Sequence, residues 1–184
     1  MKQFKSILIS GCFIACFSQA CKDNTITPIN PPANESELIT TMVVSMKDSA
    51  DGTLKSFVFR DKDGEGGAGP TQFDTIRLQS GRTYECKLLL LDESKTTTDT
   101  ISNEVLDEAD DHIVFYDILS ANMTIKIEDK DSKQLPLGLI SKWMTQQKSK
   151  GSVNIQLKHQ PGVKDGSKAP GETDAMVEFP VIIE

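Results

Sequence analysis

The sequence predicts an all-β fold, an immunoglobulin-like antiparallel β-sandwich of about seven to nine strands with one short crossing helix. Three observations carry that reading. Short runs of alternating apolar and polar residues recur from residue 38 onward, as in "GSVNIQLKHQP", where Val153, Ile155 and Leu157 share one face and Asn154, Gln156 and Lys158 the other. Turn-forming residues divide these runs at the short spacing that sandwiches use. Only "TISNEVLDEADDH", residues 100–112, breaks the rhythm, with helix formers and acids.

Taken in order, the strand segments are 38–48, 54–61, 73–80, 82–93, 112–118, 122–129, 137–146, 151–161 and 174–184. In 122–129, Met123, Ile125 and Ile127 alternate with Thr124, Lys126 and Glu128, the pattern of a sheet with one buried face. Ser80-Gly81 reads as the hairpin corner between the third and fourth segments. In the helical segment Val105, Leu106 and Ala109 form a narrow apolar stripe. Ser102 is placed to cap the first turn, where the dipole favours acids. About 145 residues lie from 38 onward, enough for a single domain, 38–184, with its own core.

The N-terminus carries an address. Lys2 and Lys5 precede "ILISGCFIACF", residues 7–17, an apolar run near the length of a secretory signal and short of the roughly 20 residues that span a bilayer. Ser18 and Ala20 precede Cys21, and this stretch resembles the lipobox of bacterial lipoproteins. Residues 1–20 are then the signal peptide and Cys21 the lipidated first residue of the mature chain. Cys16, inside the apolar run, is a competing acceptor, and cleavage after Ala20 without lipidation is the plain secretory alternative. "KDN" after Cys21 partly matches, and resembles, the surface-export signal of Bacteroidota-type lipoproteins. The expected location is therefore the outer membrane, surface-exposed ahead of periplasm-facing. Residues 21–37 hold the lipidated cysteine and a tether, "KDNTITPINPPANESE", whose three prolines make a stiff, solvated spacer.

Charge and cysteines narrow the function. The chain has 20 Lys and Arg against 27 Asp and Glu, a net charge of −7, and the signal removes two lysines and no acid. Such an acidic chain without a basic stripe argues against nucleic acid, whose binding depends on phosphate neutralisation. It also argues against electrostatic attachment to anionic lipid, which leaves the N-terminal lipid as the membrane link. Of four cysteines, Cys12 and Cys16 leave with the signal and Cys21 carries lipid. Cys86, in "YECKLLLL", remains as a buried, inert thiol and no disulfide framework is expected.

Two stretches are candidate metal sites. In "DKDGEGGAGP", Asp61, Asp63, Glu65 and Gly66 take positions 1, 3, 5 and 6 of a calcium loop, but Gln72 stands where the bidentate Glu belongs. The segment is either a hard-cation site or an acidic, glycine-rich turn. Its formal GxGxxG is no dinucleotide site, because Pro70 follows, no helix opens and the acids repel a pyrophosphate. Glu104, Glu108 and His112 are spaced i, i+4, i+8. On a helix running through His112 they share one face and suit a transition metal; the alternative is a solvated acidic face ending in a histidine. His159, by default a surface histidine, joins a site only if the fold brings it to His112. HExxH, GxSxG, phosphate-loop and CxxC motifs do not occur, and a non-enzymatic role is expected.

The ordered set "FRDKDGEGGAGP", "LLDESKTTTDTISNEVLDEADDHIVFY", "LPLGLISKWMT" and "IQLKHQPGVKDG…GETDAMVEFPVII" spans about residues 38–184. It resembles a family of small Bacteroidota lipoproteins of uncharacterised function, often labelled type 1 periplasmic binding fold proteins. That label implies strands alternating with long helices, whereas the runs here predict a sandwich. The resemblance implies an accessory to outer-membrane nutrient uptake beside a TonB-dependent receptor. The combined expectation is a lipid-anchored envelope protein that binds a metal or metal complex, with Ca2+ or a transition metal as its ion. The alternative is a structural or protein-interaction module in which any calcium only stabilises.

Overall fold

Six strands form one sheet and four the other in the computed structural model, which describes residues 37–64 and 67–184. In chain order the elements are β1 (Thr41–Asp48), β2 (Leu54–Arg60), β3 (Gln72–Phe73), β4 (Ile76–Leu78), β5 (Thr83–Leu91), α1 (Ile101–Asp107), β6 (His112–Leu119), β7 (Met123–Ile127), β8 (Ile140–Thr145), β9 (Ser149–His159) and β10 (Glu172–Ile183). The larger sheet runs β3-β2-β1-β5-β8-β7 and the smaller β4-β10-β9-β6. The pairings are antiparallel apart from β4 with β10, which is parallel. The chain is an all-β sandwich, as its alternation predicts.

Ten strands form where about seven to nine are expected. The 73–80 segment divides at Asp74 and Thr75, because its halves belong to different sheets. The Asp74 carboxylate pins that crossing, accepting from the Val58 amide at 2.9 Å and from Gln72 Nε2 at 3.0 Å. Ser80-Gly81 is likewise a crossing and no hairpin: it joins β4 of one sheet to β5 of the other, with Gly81 at φ 67°.

The alternating apolar residues meet between the sheets. Met42, Val44 and Met46 of β1, Cys86, Leu88 and Leu90 of β5 and Trp143 of β8 face Val153, Ile155 and Leu157 of β9 and Val177, Phe179 and Val181 of β10. Each such side chain contributes about 1.5–3 kcal/mol on burial, so this layer fixes which strand ends lie together. Trp143 keeps a partner in the core, donating from Nε1 to Ser141 Oγ at 2.9 Å. Cys86 is free and buried, and burial pushes its thiol up to about 12. Among the described residues no helix is long and apolar enough to cross a membrane.

The helix is shorter than expected. It ends at Asp107, the Glu108 amide closes it onto the Glu104 carbonyl at 2.8 Å, and His112 opens β6. Glu104, Glu108 and His112 therefore do not share a helical face. The reason is electrostatic: Asp107, Glu108, Asp110 and Asp111 crowd the negative end of the dipole, and no base offsets them in the last turn. Ser102 does not cap. Thr100 holds the N-cap position, while Ser102 Oγ accepts from the Leu90 amide at 2.6 Å and docks the helix on the end of β5. Ile101, Ser102 and Val105 form the buried face, and Leu106, which the sequence places in the apolar stripe, is instead 58% exposed.

Candidate metal centre

The β6–β9 ladder sets His112 directly opposite His159. Both continue the inward-facing rows, His112 that of Val114, His159 that of Val153, Ile155 and Leu157. Two imidazoles thus occupy the end of the core where a further apolar pair would otherwise fit. Their rings stack with centroids 4.7 Å apart and planes 15° from parallel. His112 is 0% and His159 9% exposed, so neither is the surface histidine that the sequence leaves open.

A bulge brings the third group. In the β9–β10 ladder Thr173 pairs with Lys158 and Ala175 with Leu157, which leaves Asp174 as the extra residue. Such an insertion re-aims a side chain. The Asp174 carboxylate turns inward, 3% exposed, with Oδ2 at 4.0 Å from His112 Nε2. Glu108, just beyond α1, supplies the fourth group from the solvent side. One ligand atom each of Glu108, His112 and His159 lies within 4.8 Å of the others.

Hydrogen bonding fixes which nitrogen faces the site. His112 Nδ1 lies 3.2 Å from the Glu108 carbonyl oxygen. A carbonyl only accepts, so Nδ1 carries the hydrogen and Nε2 keeps its lone pair. That Nε2 is buried and makes no hydrogen bond, a costly arrangement for a core nitrogen. Burial holds the His112 pKa below its ordinary value and the neighbouring His159 adds to this, against the pull of the Glu108 carbonyl and the Asp174 carboxylate. A neutral imidazole, oriented through Nδ1 with Nε2 open, is the form that ligates a metal.

The donor set also indicates the metal. Two imidazoles with carboxylates suit Zn2+, Cu2+, Ni2+ or Fe2+, whereas Ca2+ takes oxygen alone. With metal–ligand bonds of about 2.0–2.1 Å, tetrahedral donors stand about 3.4 Å apart, so this group would have to contract by about 1 Å to hold such an ion. Glu108 is exposed while His112 is fully buried, so its carboxylate is the donor with most room to shift.

A polar scaffold presses on the back of the site. Lys158 Nζ donates to the Gly171 carbonyl at 2.8 Å, and buried Gln160 donates from Nε2 to the Ser167 and Pro170 carbonyls, each at 2.9 Å. Gly171 has φ 75°, and a Cβ there would lie 2.0 Å from the His159 carbonyl oxygen. Lys164 donates to the Ala109 carbonyl at 2.8 Å and pairs with Asp131 at 2.8 Å, both side chains fully buried. Burial pushes the Asp131 carboxyl up, but the Lys164 ammonium and the Leu135 and Lys133 amides outweigh it and hold it below the usual range.

The other sequence candidates lie elsewhere. Glu104 sits in α1 outside the 4.8 Å group. Asp61 and Asp63 lie after β2, where Asp63 Oδ2 accepts from the Ala68 amide at 2.8 Å and so binds its own turn. Asp61 is raised by desolvation and by its hydrogen bond to Asp63, which is itself lowered by the Ala68 amide. Cys21 and Glu65 lie outside the described residues. Asp174 was not among the sequence candidates: in "ETDAMVEF" it falls between alternating positions, and a bulge leaves no mark there. Comparison of the chain with protein-family models, with curated proteins and with solved structures gives no match.

Proposed function

We propose that this chain is a lipid-anchored envelope protein whose sandwich domain binds a divalent transition metal, free or complexed, and serves an outer-membrane uptake partner such as a TonB-dependent receptor. The observation that carries the metal reading is the buried Nε2 of His112, without a hydrogen bond and 4.0 Å from Asp174 Oδ2, on a ring that stacks on His159 and groups with Glu108. The asymmetry of the site supports carriage over a structural role. Its histidines are buried while Glu108 is exposed, so an ion enters over Glu108 and stays exchangeable, unlike one in a closed structural site. Lys2, Lys5 and Cys21, with the lipoprotein resemblance, support the anchor.

Calorimetry on the full chain, stripped with chelator, tests the metal reading. Zinc binds at one equivalent, calcium gives no heat, and His112→Ala abolishes the zinc signal. Absence of binding by zinc, copper, nickel and iron would leave a protein-interaction module as the better account. Labelling with palmitate, lost in Cys21→Ala, tests the anchor separately.

A further inference from the structure

The two imidazoles are stacked, and a stack does not suit a shared ion. An imidazole nitrogen holds its lone pair in the plane of its ring, so an ion bound to both rings lies in both planes, about 2.0–2.1 Å from each nitrogen. The His112 and His159 rings have centroids 4.7 Å apart and planes 15° from parallel. Ring faces in contact stand about 3.5 Å apart, and planes so slightly tilted then meet more than about 10 Å away. A shift of Glu108 closes distances within the donor group and leaves the two planes as they are. One ring has to turn.

His112 is the ring that stays. It is fully buried, and the 3.2 Å contact between its Nδ1 and the Glu108 carbonyl oxygen sets its orientation. His159 ends β9 and reaches the surface, at 9% exposed. Its backbone is held. It pairs with His112 on one side and Glu172 on the other, and a Cβ on Gly171 would lie 2.0 Å from its carbonyl oxygen. The turn is therefore confined to the side-chain bonds of His159.

We infer that His159 is a gate ligand: stacked on His112 it keeps the centre closed, and metal binding turns its ring out of the stack to join Glu108 and His112 around the ion. This rests on the proposed metal function and deepens it, dividing that site into a fixed half and a moving half. The stack satisfies both ring faces without an ion. It competes with the bound state and favours release, as handing an ion to a partner requires.

The test uses the full chain with isotope-labelled histidine rings, and NMR spectra before and after one equivalent of zinc. The metal-free chain is expected to show nuclear Overhauser contacts between the His112 and His159 rings, and zinc to abolish them. Both imidazoles should then show the nitrogen shift of a metal ligand, while His112 keeps its Nδ1 hydrogen. His159→Phe keeps a flat ring on His112 and offers no lone pair, so it is expected to weaken zinc by about tenfold or more. The wild-type spectra decide on their own if melting shows that this variant does not fold. If zinc binds and shifts His112 alone with the ring contacts intact, the inference is overturned and the metal reading stands. The same holds if zinc binds to a chain whose metal-free spectra lack those contacts. If the wild-type chain binds neither zinc nor cobalt(II), both fall.

Discussion

His112 and His159 face each other across the β6–β9 ladder and stack at 4.7 Å, on the inward side of both strands. Core positions of a sandwich are ordinarily apolar, and two imidazoles there sacrifice burial energy for a pair of nitrogens at one end of the molecule. Asp174, turned inward by a bulge, and Glu108, at the end of a truncated helix, complete the arrangement.

Metal binding to the native state alone raises its stability by mass action. Free zinc at a hundred times its Kd contributes about 2.7 kcal/mol, which corresponds to about 5–10 °C in Tm for a chain of this size. Scanning calorimetry is expected to show this rise with zinc and none with calcium. His159→Ala should melt at the same temperature with and without zinc.

Desolvation and the charges of Glu104, Asp174, Glu108 and Asp99 raise the Glu37 carboxyl, which makes the metal-free protein pH-sensitive. Its folded pKa of about 7 lies above the ordinary 4.5, so its contribution is fully present below 4.5 and is lost as pH rises to about 7. In chelator, Glu37→Gln is therefore expected to melt above wild type at pH 8. At pH 4 the two should melt together. Equal melting at both pH values would contradict the placement of Glu37 among the acids.

Lys164 and Asp131 form a fully buried pair that ties the loop after β9 to the segment between β7 and β8. Removing one partner leaves an uncompensated charge, and Lys164→Met is expected to cost about 3–5 kcal/mol in urea unfolding. Adding Asp131→Leu should recover most of that loss. The Asp131 pKa is depressed, so the pair's contribution is present above the ordinary carboxyl range and is lost as pH falls through the folded value.

Gly171 tests the scaffold behind His159. Any side chain meets both the positive φ and the His159 carbonyl. Gly171→Ala is expected to destabilise by at least about 2 kcal/mol in urea unfolding and to weaken zinc binding by displacing His159.

Cys86 should resist thiol reagents in the native protein, because burial pushes its thiol to about 12 and the thiolate is the reactive form. Labelling kinetics with an aromatic disulfide should match global unfolding, and fast labelling would contradict the buried placement.

The sandwich is legible in the sequence because period-two alternation reports which face is buried, as Val153, Ile155 and Leu157 show. What alternation does not report is which sheet a strand joins, and this hid the crossings at Asp74-Thr75 and Ser80-Gly81. Glu108 and His112 were legible as a pair, but through a helix that stops short of them; the ladder and the preceding turn unite them instead. His159 depended on strand pairing, and Asp174 on a bulge, both long-range features. Glu37 ends a proline-rich stretch read as a spacer, and nothing local marks it as part of the domain.

X-ray absorption at the zinc edge of the loaded full chain tests the central claim most directly. The account predicts two imidazole nitrogens at about 2.0–2.1 Å, oxygen in the remaining positions, and loss of the imidazole signal in His112→Ala with His159→Ala. An all-oxygen shell, or imidazole scattering that survives both substitutions, would contradict it.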